Sequence, residues 1–328
     1  DLFPKPEVEI GEEMLRIEGL SRTGYYKNVS FNVHAGEIVG LTGLVGAGRT
    51  EVMEAVCGIT RPDEGKVFLE GKEIYIKTPS DAMEKGIILL PEDRQKQGLV
   101  MSWGLGRNVT LPTISKYAKN GFNDEKTERD LSKRLLEEVD TKAVDIFQPA
   151  SSLSGGNQQK VVVAKALSQE MKVVIMDEPT TALTKKEVKR LFEIIAQLKA
   201  NGVTILFVSH KLDEVFEISD SITIMRNGEN VISCPTSEMN EEKFAYYMTG
   251  RHFEDKKDDN TEKKIGKTVL EVNNLSAPGF ENISFDLHEG EILGITGQLG
   301  SGRTELSLAL SGMLKPTEGT MKLEGKEV

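Results

Sequence analysis

The segment EIVGLTGLVGAGRTE at residues 37–51 decides the fold of this chain. Its apolar residues predict a buried strand over Glu37–Thr42, and helical residues follow from Glu51. The small residues between them allow backbone N–H groups to converge on phosphate oxygens, and the helix N-terminus adds partial positive charge. The segment therefore predicts a phosphate-binding loop made of Gly43, Leu44, Val45, Gly46, Ala47, Gly48, Arg49, Thr50 and Glu51.

One position in this loop departs from the usual pattern. Arg49 stands where such loops normally have a lysine, whereas Thr50 follows the pattern and is expected to place its hydroxyl on Mg²⁺. Arginine keeps the positive charge, but its guanidinium is bulkier and planar and is not an equivalent point donor. We therefore expect nucleotide binding to survive better than fast turnover.

The chain contains a long internal repeat. Residues 28–74 match residues 282–328 without a gap, and a period of this length indicates tandem whole domains. The second copy repeats the substitution of arginine for lysine, so the departure is systematic. Its phosphate-binding loop is predicted to include Gly297, Gly300, Gly302, Arg303 and Thr304.

The repeat sets the expected domain plan. We expect an N-terminal extension at residues 1–13, a nucleotide-binding domain at 14–253, a linker at 254–267 and the start of a second such domain at 268–328. The linker sequence EDKKDDNTEKKIGK is charged and has no apolar period, which is typical of an exposed connection. Residues 268–328 end just after a predicted strand, so the second domain is expected to be incomplete.

Strand and helix patterns alternate along the first copy. Gly36–Thr42 and Lys172–Met176 are apolar without alternation, which is typical of strands covered on both faces. The stretch Lys186–Ala200 has a helical pattern, and Asn123–Val139 predicts an amphipathic helix of an inserted helical part. The fold class is therefore α/β, with a largely parallel sheet.

Composition excludes several classes of protein. The net charge of −11 and the pI near 5.1 argue against non-specific binding of nucleic acid or anionic lipid. Two distant cysteines, Cys57 and Cys234, fit a reducing compartment without a disulfide framework. No apolar run is long enough to span a bilayer, so a partner would have to hold the chain at a membrane.

Three further motifs follow the phosphate-binding loop. LSGGNQQK at residues 153–160 predicts a helix start with Ser154 as its cap, where small glycines permit close approach of an anion. VVIMDEPT at residues 173–180 predicts a strand that delivers Asp177 and Glu178 to the edge where parallel sheets bind ligands. FVSH at residues 207–210 ends another apolar strand in His210.

Together these motifs resemble the ATP-binding subunits of monosaccharide ABC importers of the ribose, galactose, arabinose and autoinducer-2 type. In that family one polypeptide carries two fused nucleotide-binding domains. The resemblance covers nearly the whole chain and implies a P-loop NTPase of the ABC ATPase type, with a RecA-like parallel sheet, an antiparallel β part and a helical subdomain. Further matching segments are LPEDRQKQGLV (90–100), DEPTTALT (177–184), VSHKLDEVFEISD (208–220) and MTGR (248–251).

The resemblance implies roles for individual residues at the catalytic centre. Asp177 would hold Mg²⁺ directly or through water, and Glu178 would polarise the attacking water as general base. His210 would contact the γ-phosphate and sense the opposing domain. Glu92 stands where the family usually has a glutamine that touches Mg²⁺ and the transmembrane partner, and its carboxylate suits metal binding.

The resemblance also implies contacts away from the catalytic carboxylate. The signature residues bind ATP held by the opposing domain, and here they would be Ser154, Gly155, Gly156 and Gln158. Tyr25 and Tyr26 are both candidates for stacking on adenine, with ordinary packing as the alternative. Thr184 replaces an aspartate usual in ABC proteins, which puts coupling between the two sites in question.

The motifs form a mosaic of the two family domains. The arginine-containing loop, the PEDR segment and LSGGNQQK look like the family's second domain, whereas TTALT and VSHKLDE look like its first. Whether this mosaic is natural or recombined stays open at the level of sequence. In the family, each site forms between the phosphate-binding loop of one domain and the signature of the other.

The resemblance implies an ATPase that uses ATP and Mg²⁺ to energise import of a monosaccharide. Its expected location is peripheral, at the cytoplasmic face of the membrane. Expected partners are transmembrane permease subunits, a second nucleotide-binding domain and, indirectly, a substrate-binding protein, with no nucleic acid. The alternatives are a catalytically weak regulatory nucleotide-binding module, favoured by Arg49 and Arg303, and a non-transport ABC ATPase, which the negative charge disfavours.

Overall fold

The structure, a computed structural model, describes residues 10–119, 122–251, 266–297 and 300–328. The chain divides into two compact units, Asp1–Phe253 and Glu254–Val328. Of the expected N-terminal extension only residues 10–13 are described, and of the expected linker only residues 266 and 267. The three expected domain boundaries therefore stay predictions.

A six-stranded sheet forms the centre of the first unit. The pairs β11–β3, β3–β10, β10–β9 and β9–β6 are parallel, and β12 is antiparallel to β11. This arrangement confirms the predicted parallel sheet. The strands are, in spatial order, β12 (Glu229–Pro235), β11 (Ser221–Arg226), β3 (Ile38–Gly43), β10 (Thr204–Val208), β9 (Val173–Asp177) and β6 (Ile87–Leu90).

The first unit also contains a four-stranded antiparallel sheet, which corresponds to the expected antiparallel part. In spatial order it contains β2 (Tyr26–His34), β1 (Glu13–Arg22), β4 (Glu64–Leu69) and β5 (Lys72–Ile74). A separate two-stranded ribbon pairs β7 (Ala118–Lys119) with β8 (Phe122–Asn123).

Nine α-helices lie in the described part of the first unit. The helices predicted at Asn123–Val139 and Lys186–Ala200 are present as α5 and α7. None of the described helices is long and apolar enough to span a membrane. The helices are α1 (Arg49–Val56), α2 (Pro79–Glu84), α3 (Leu105–Thr110), α4 (Ile114–Tyr117), α5 (Glu125–Glu138), α6 (Gly155–Leu167), α7 (Lys185–Ala200), α8 (Leu212–Ile218) and α9 (Glu241–Thr249).

Both faces of the central sheet are covered by apolar side chains. Val174 and Met176 of β9 pack into a cluster with residues of α6 and α7. Val173 and Ile175 of the same strand pack into a second cluster with residues of β1, β2 and α1. Because successive side chains of a strand point to opposite faces, a strand buried on both sides has to be apolar throughout.

Thr184, which stands in place of an expected aspartate, is the N-cap residue of helix α7. The Glu187 backbone N–H donates to Thr184 Oγ1, and the Thr184 backbone N–H donates to Glu187 Oε2. These reciprocal hydrogen bonds form a capping box, which satisfies two amide groups that a helix end leaves unpaired. The local role of Thr184 is therefore to fix the start of this helix.

The second unit repeats the antiparallel sheet of the first. Ile292 and Ile295 are exposed there, whereas the corresponding Ile38 and Leu41 are buried in the first unit. Within the described residues no strand equivalent to β3 forms at residues 291–297. The sheet has the spatial order β14 (Phe280–His288), β13 (Thr268–Ala277), β15 (Glu318–Leu323) and β16 (Lys326–Glu327), and the helix is α10 (Arg303–Leu310).

A buried ion pair ties the end of α7 to the start of the central strand β3. Lys199 Nζ donates to Asp220 Oδ1 at 2.7 Å, and the Ile38 backbone N–H donates to Asp220 Oδ2 at 2.9 Å. The Lys199 side chain is only 3 % exposed. A buried ammonium requires such a partner, since removal from water is costly for an unpaired charge.

We expect Asp220→Ala to destabilise the first unit by about 3–5 kcal/mol, because it leaves the Lys199 ammonium buried without its carboxylate. The measurement is urea unfolding at neutral pH. Lys199→Met combined with Asp220→Ala serves as the control, because it removes the orphaned charge and should recover part of the loss. A double variant as unstable as Asp220→Ala alone would contradict this account of the pair.

Candidate functional site

Three parallel strands end next to one another at one edge of the central sheet. Strand β10 lies between β3 and β9, with Val208 opposite both Leu41 and Asp177. The carboxyl ends of neighbouring parallel strands meet at the same edge of a sheet, where ligands bind. The loops that follow β3, β9 and β10 therefore form one site.

The loop after β3 has the backbone geometry that its glycines predict. Gly46 and Gly48 have φ values of 81° and 89°, and Gly48 is the N-cap of α1. A Cβ atom on Gly43 would lie 2.4 Å from the Met225 carbonyl oxygen. A larger residue at position 43 would therefore collide with the backbone of β11.

The side chains of this loop divide between solvent and core. Val45 and Leu44 are 86 % and 52 % exposed at its tip, whereas Ala47 is 4 % exposed. Glu51 is half-buried in the first turn of α1. The tip of the loop therefore faces solvent, whereas its base packs into the core.

Arg49 pairs with the carboxylate of Glu178, the residue that follows β9. Its Nη1 donates to Glu178 Oε1 at 3.2 Å, and the two side chains are 8 % and 6 % exposed. A charge buried to this degree needs an oppositely charged partner. The arginine that replaces lysine thus has a defined partner within its own domain.

The same oxygen of Glu178 also faces His210. His210 Nδ1 lies 2.8 Å from Glu178 Oε1, and the His210 backbone N–H donates to that oxygen at 3.1 Å. The other oxygen, Oε2, is buried without a hydrogen-bond partner among the described residues. Glu178 Oε1 therefore joins the loops after β3, β9 and β10.

Glu178 has an unusual backbone conformation. Its φ is 46°, in the left-handed region, which costs a non-glycine residue of the order of 1–2 kcal/mol. Its backbone N–H donates to the Val208 carbonyl at 2.9 Å, and its own carbonyl accepts from Thr181 Oγ1 at 3.0 Å. These contacts hold the residue in place, and residues held in such conformations cluster at functional sites.

Asp177, Thr50 and Glu92 surround the remaining side of the site. Thr50 Oγ1 donates to Asp177 Oδ1 at 3.3 Å. Burial raises the pKa of Asp177 to about 6, and the negative charges of Glu92 and Glu178 act in the same direction. Glu92 itself is exposed. A buried carboxylate with two other carboxylates nearby favours a cation, so these oxygens fit Mg²⁺.

The signature segment forms a helix start, as predicted, but without the expected side-chain cap. Ser154 is the N-cap residue of α6, yet its Oγ makes no capping hydrogen bond and instead accepts from Asn157 Nδ2 at 3.1 Å. A Cβ on Gly156 would lie 2.5 Å from a Glu187 carboxylate oxygen. Because these glycines lack a side chain, side chains of the same domain can lie close to the signature backbone.

Gln158, one of the residues predicted to belong to the signature, has its side chain in the interior of its own domain. It is 3 % exposed, and its Nε2 donates to the carbonyls of Ala150 and Leu153. Its Oε1 accepts from Arg94 Nε at 3.3 Å and Gln95 Nε2 at 3.2 Å. The amide is thus fully used within its own domain.

Sequence reasoning missed Arg94 as a residue of the signature region. Its guanidinium lies against the signature loop, because a Cβ on Gly155 would sit 2.7 Å from Arg94 Nη2. Arg94 belongs to a turn of π-helix at Arg94–Gly98, which begins two residues after Glu92. Its place in the LPEDRQKQGLV segment was visible, but no local pattern connects that segment with residues about 60 positions later.

The structure separates the two tyrosines that sequence left as alternatives. Tyr26 is 3 % exposed, and its burial raises its pKa to about 12, so its ring belongs to the core. Tyr25 is 50 % exposed, with the Arg22 guanidinium 4.3 Å from its ring centroid. Its carbonyl oxygen lies beside Gly48. Tyr25 is therefore the tyrosine that faces solvent next to the loop.

The described glycines of the second unit's loop have the backbone angles of their counterparts in the first unit, but the neighbouring side chains have a different environment. Gly300 and Gly302 have φ values of 80° and 82°, and Gly302 precedes α10. Arg303 and Thr304 are exposed, whereas Arg49 is buried against Glu178. Gly297 is likewise exposed.

Comparisons with known proteins agree with this geometry. Residues 26–181 and 280–328 match the model of the ABC transporter family. The ribose import ATP-binding protein RbsA of Rhodococcus jostii is 43 % identical over 252 residues, which cover 76 % of this chain and 50 % of the relative. The galactose/methyl galactoside import ATP-binding protein MglA of Sodalis glossinidius is 35 % identical over 330 residues, with coverages of 97 % and 63 %.

A solved structure has the same architecture as the first unit. The crystal structure of a nucleotide-free ATP-binding cassette from an ABC transporter is 25 % identical and superposes with a TM-score of 0.60. The match covers 72 % of this chain and 95 % of the cassette. The chain spans about half the length of the curated relatives it matches. The expected fold class is confirmed, and the chain belongs to the ABC transporter family.

Proposed function

We propose that this chain binds Mg·ATP in the loop Gly43–Glu51 and hydrolyses it to energise import of a monosaccharide. The observation that carries the proposal is the meeting of Arg49, Asp177, Glu178 and His210 where three parallel strands end. The relatives named as ribose and galactose import ATP-binding proteins support sugar as the cargo. The sugar itself would be selected by other subunits.

Nucleotide binding would use the open N-terminus of α1. The backbone N–H groups of Gly46, Gly48 and their neighbours would cradle the phosphates, helped by the positive end of the helix. Arg49 would then exchange its contact with Glu178 for one with the phosphates. Because Glu178 and the phosphates would compete for Arg49, nucleotide binding and turnover need not change together.

A magnesium ion would be held by Thr50 and Asp177, with Glu92 at the outer side. Such an ion supplies positive charge that neutralises the phosphates during transfer. Within the described residues no group of three or more acidic, histidine or cysteine side chains is arranged as a metal centre. Magnesium in nucleotide sites commonly uses one or two protein carboxylates together with phosphates and waters.

Glu178 is the proposed general base, and His210 would sense the terminal phosphate. Release of Arg49 to the phosphates would leave Glu178 with His210 and an unpaired Oε2. That oxygen is then available to accept a proton from water, a role that requires a carboxylate within hydrogen-bond reach of the nucleophile.

Two surfaces of the first unit support the proposed partners. Ser154 is exposed at the N-terminus of α6 and would face ATP bound by a second nucleotide-binding domain. An apolar cavity of about 380 Å³ lies beside the turn after Glu92 and is lined by Pro91, Gln97 and Gly98 among others. This cavity would receive a transmembrane permease subunit at the cytoplasmic face of the membrane. The permease would connect the chain to a substrate-binding protein.

A regulatory nucleotide-binding module with little turnover is the second candidate. The buried Arg49–Glu178 pair favours it, because the guanidinium occupies the carboxylate oxygen that would otherwise be free to face an attacking water. The two candidates share the binding site and differ only in hydrolysis. Steady-state ATPase measurements on this chain therefore separate them.

We expect Glu178→Gln to bind Mg·ATP with nearly unchanged affinity and to lose hydrolysis by about 10²-fold or more, because the amide cannot accept the proton. Binding by calorimetry and phosphate release together make the measurement. Glu84→Gln, an exposed change on α2, is the matched control and should behave as wild type. Absence of Mg·ATP binding by the wild-type chain would refute the site, and binding without hydrolysis in any form would select the regulatory candidate.

We expect Asp177→Asn to stabilise the chain at pH 7.5 in the absence of magnesium. The pKa of Asp177 is raised to about 6, so the folded state favours the protonated form and stability falls as pH rises through about 4–6. The gain is up to about 3 kcal/mol at pH 7.5 and near zero at pH 4. Urea unfolding at both values measures it.

With Mg·ATP, the wild-type chain should become more stable than Asp177→Asn. Mg·ATP is expected to stabilise the wild-type chain but not Asp177→Asn, since a ligand stabilises only the state that binds it. Equal stability of the two proteins at pH 7.5 without magnesium would show that the burial of Asp177 carries no free-energy cost.

We expect Tyr25→Ala to weaken ATP binding by about tenfold, because loss of one aromatic surface under a base costs roughly 1–3 kcal/mol. Tyr25→Trp should retain the affinity. Inorganic tripolyphosphate, which lacks a base, is the control ligand and should bind both variants equally. If Tyr25→Ala lowers the affinities for ATP and tripolyphosphate alike, Tyr25 does not stack on adenine.

A further inference from the structure

A closed ring of side chains connects the loop after Glu178 with the segment after His210. Thr180 Oγ1 donates to Glu214 Oε2 at 2.6 Å and accepts from Lys211 Nζ at 3.0 Å. Lys211 Nζ also donates to Glu214 Oε1 at 3.1 Å. Each of the three side chains therefore contacts the other two.

The ring is sheltered from solvent at its centre. Thr180 is 0 % exposed, and the side chains of Glu214 and Lys211 are 13 % and 37 % exposed. Hydrogen bonds between charged groups and a buried hydroxyl, whether the hydroxyl donates or accepts, are stronger than those of a surface ion pair, because water does not compete at the hydroxyl. Removal of the Thr180 hydroxyl would therefore weaken the connection between the two segments.

The ring lies immediately beside the residues that carry the proposed chemistry. Thr180 is two positions after Glu178, and Lys211 is directly after His210. Glu178 Oε1 and His210 Nδ1 are 2.8 Å apart, and Glu178 has its strained φ of 46°. A strained residue keeps its conformation only where neighbouring contacts hold it.

We propose that Thr180, Lys211 and Glu214 form a positioning clamp that keeps Glu178 and His210 in contact during ATP hydrolysis. The three are positioning residues, since they act through Glu178 and His210 rather than on the nucleotide. The inference rests on the proposed function, because it assigns the clamp to that reaction. Small displacements matter there, since a shift of about 1 Å can cost about 10²-fold in rate.

The test compares Thr180→Val, which removes the hydroxyl but keeps the branched shape, with Thr180→Ser, which keeps the hydroxyl. We expect Thr180→Val to lower kcat for Mg·ATP hydrolysis by about tenfold or more, with KM for ATP nearly unchanged. Thr180→Ser should retain most of the wild-type kcat. Thermal unfolding of both variants shows whether the fold is kept.

A second measurement does not depend on turnover. The His210 imidazole proton resonance, assigned by its absence in His210→Ala, should shift in Thr180→Val and stay at the wild-type position in Thr180→Ser. In the His210→Ala background, Thr180→Val should have little further effect on kcat, because coupled residues are not additive.

The outcomes separate the clamp from the proposed function. If the wild-type chain binds but does not hydrolyse ATP, the proposed function fails, and the resonance still tests the clamp. Wild-type kcat and an unmoved His210 resonance in Thr180→Val would overturn the clamp. Equal losses of kcat and thermal stability in Thr180→Val and Thr180→Ser would also overturn it, since they would show general packing at this position.

Discussion

The buried carboxylate of Glu178 is the group on which the arrangement of this site depends. An ionised group removed from water needs charged or hydrogen-bonding partners, and Glu178 Oε1 finds them in Arg49 and His210. Those partners belong to loops that follow three different strands. One oxygen atom thus links the glycine-rich loop after β3, the acidic end of β9 and His210.

The contact with Glu178 gives a physical reason for an arginine in place of lysine at position 49. A guanidinium has several donors in a planar fork and can pair with a carboxylate while it remains buried. The phosphates of a nucleotide would compete for the same group. Under the proposed function, nucleotide binding would release Glu178 from Arg49, and the balance between the two contacts would determine whether the site hydrolyses ATP or only binds it.

The mosaic of motifs corresponds to two networks of side chains. Segments that resemble the family's second domain contact each other, with Arg94 and Gln95 bonded to Gln158. Segments that resemble the first domain also contact each other, with Thr180 bonded to Lys211 and Glu214. Contacting residues are the ones whose substitutions are coupled. In each network, the residues in contact therefore come from segments that resemble the same domain of the family.

Local patterns in the sequence determined the strands, the main helices, the glycine-rich loop and the order of the motifs, because these depend on neighbouring residues. Only the tertiary structure placed Arg49 on Glu178, turned Gln158 inward and distinguished Tyr25 from Tyr26. Those outcomes depend on side chains that lie far apart in sequence and meet only in the folded chain. Sequence periodicity predicts which face of an element is buried, but it does not say which distant residue an ionised or amide group will find there.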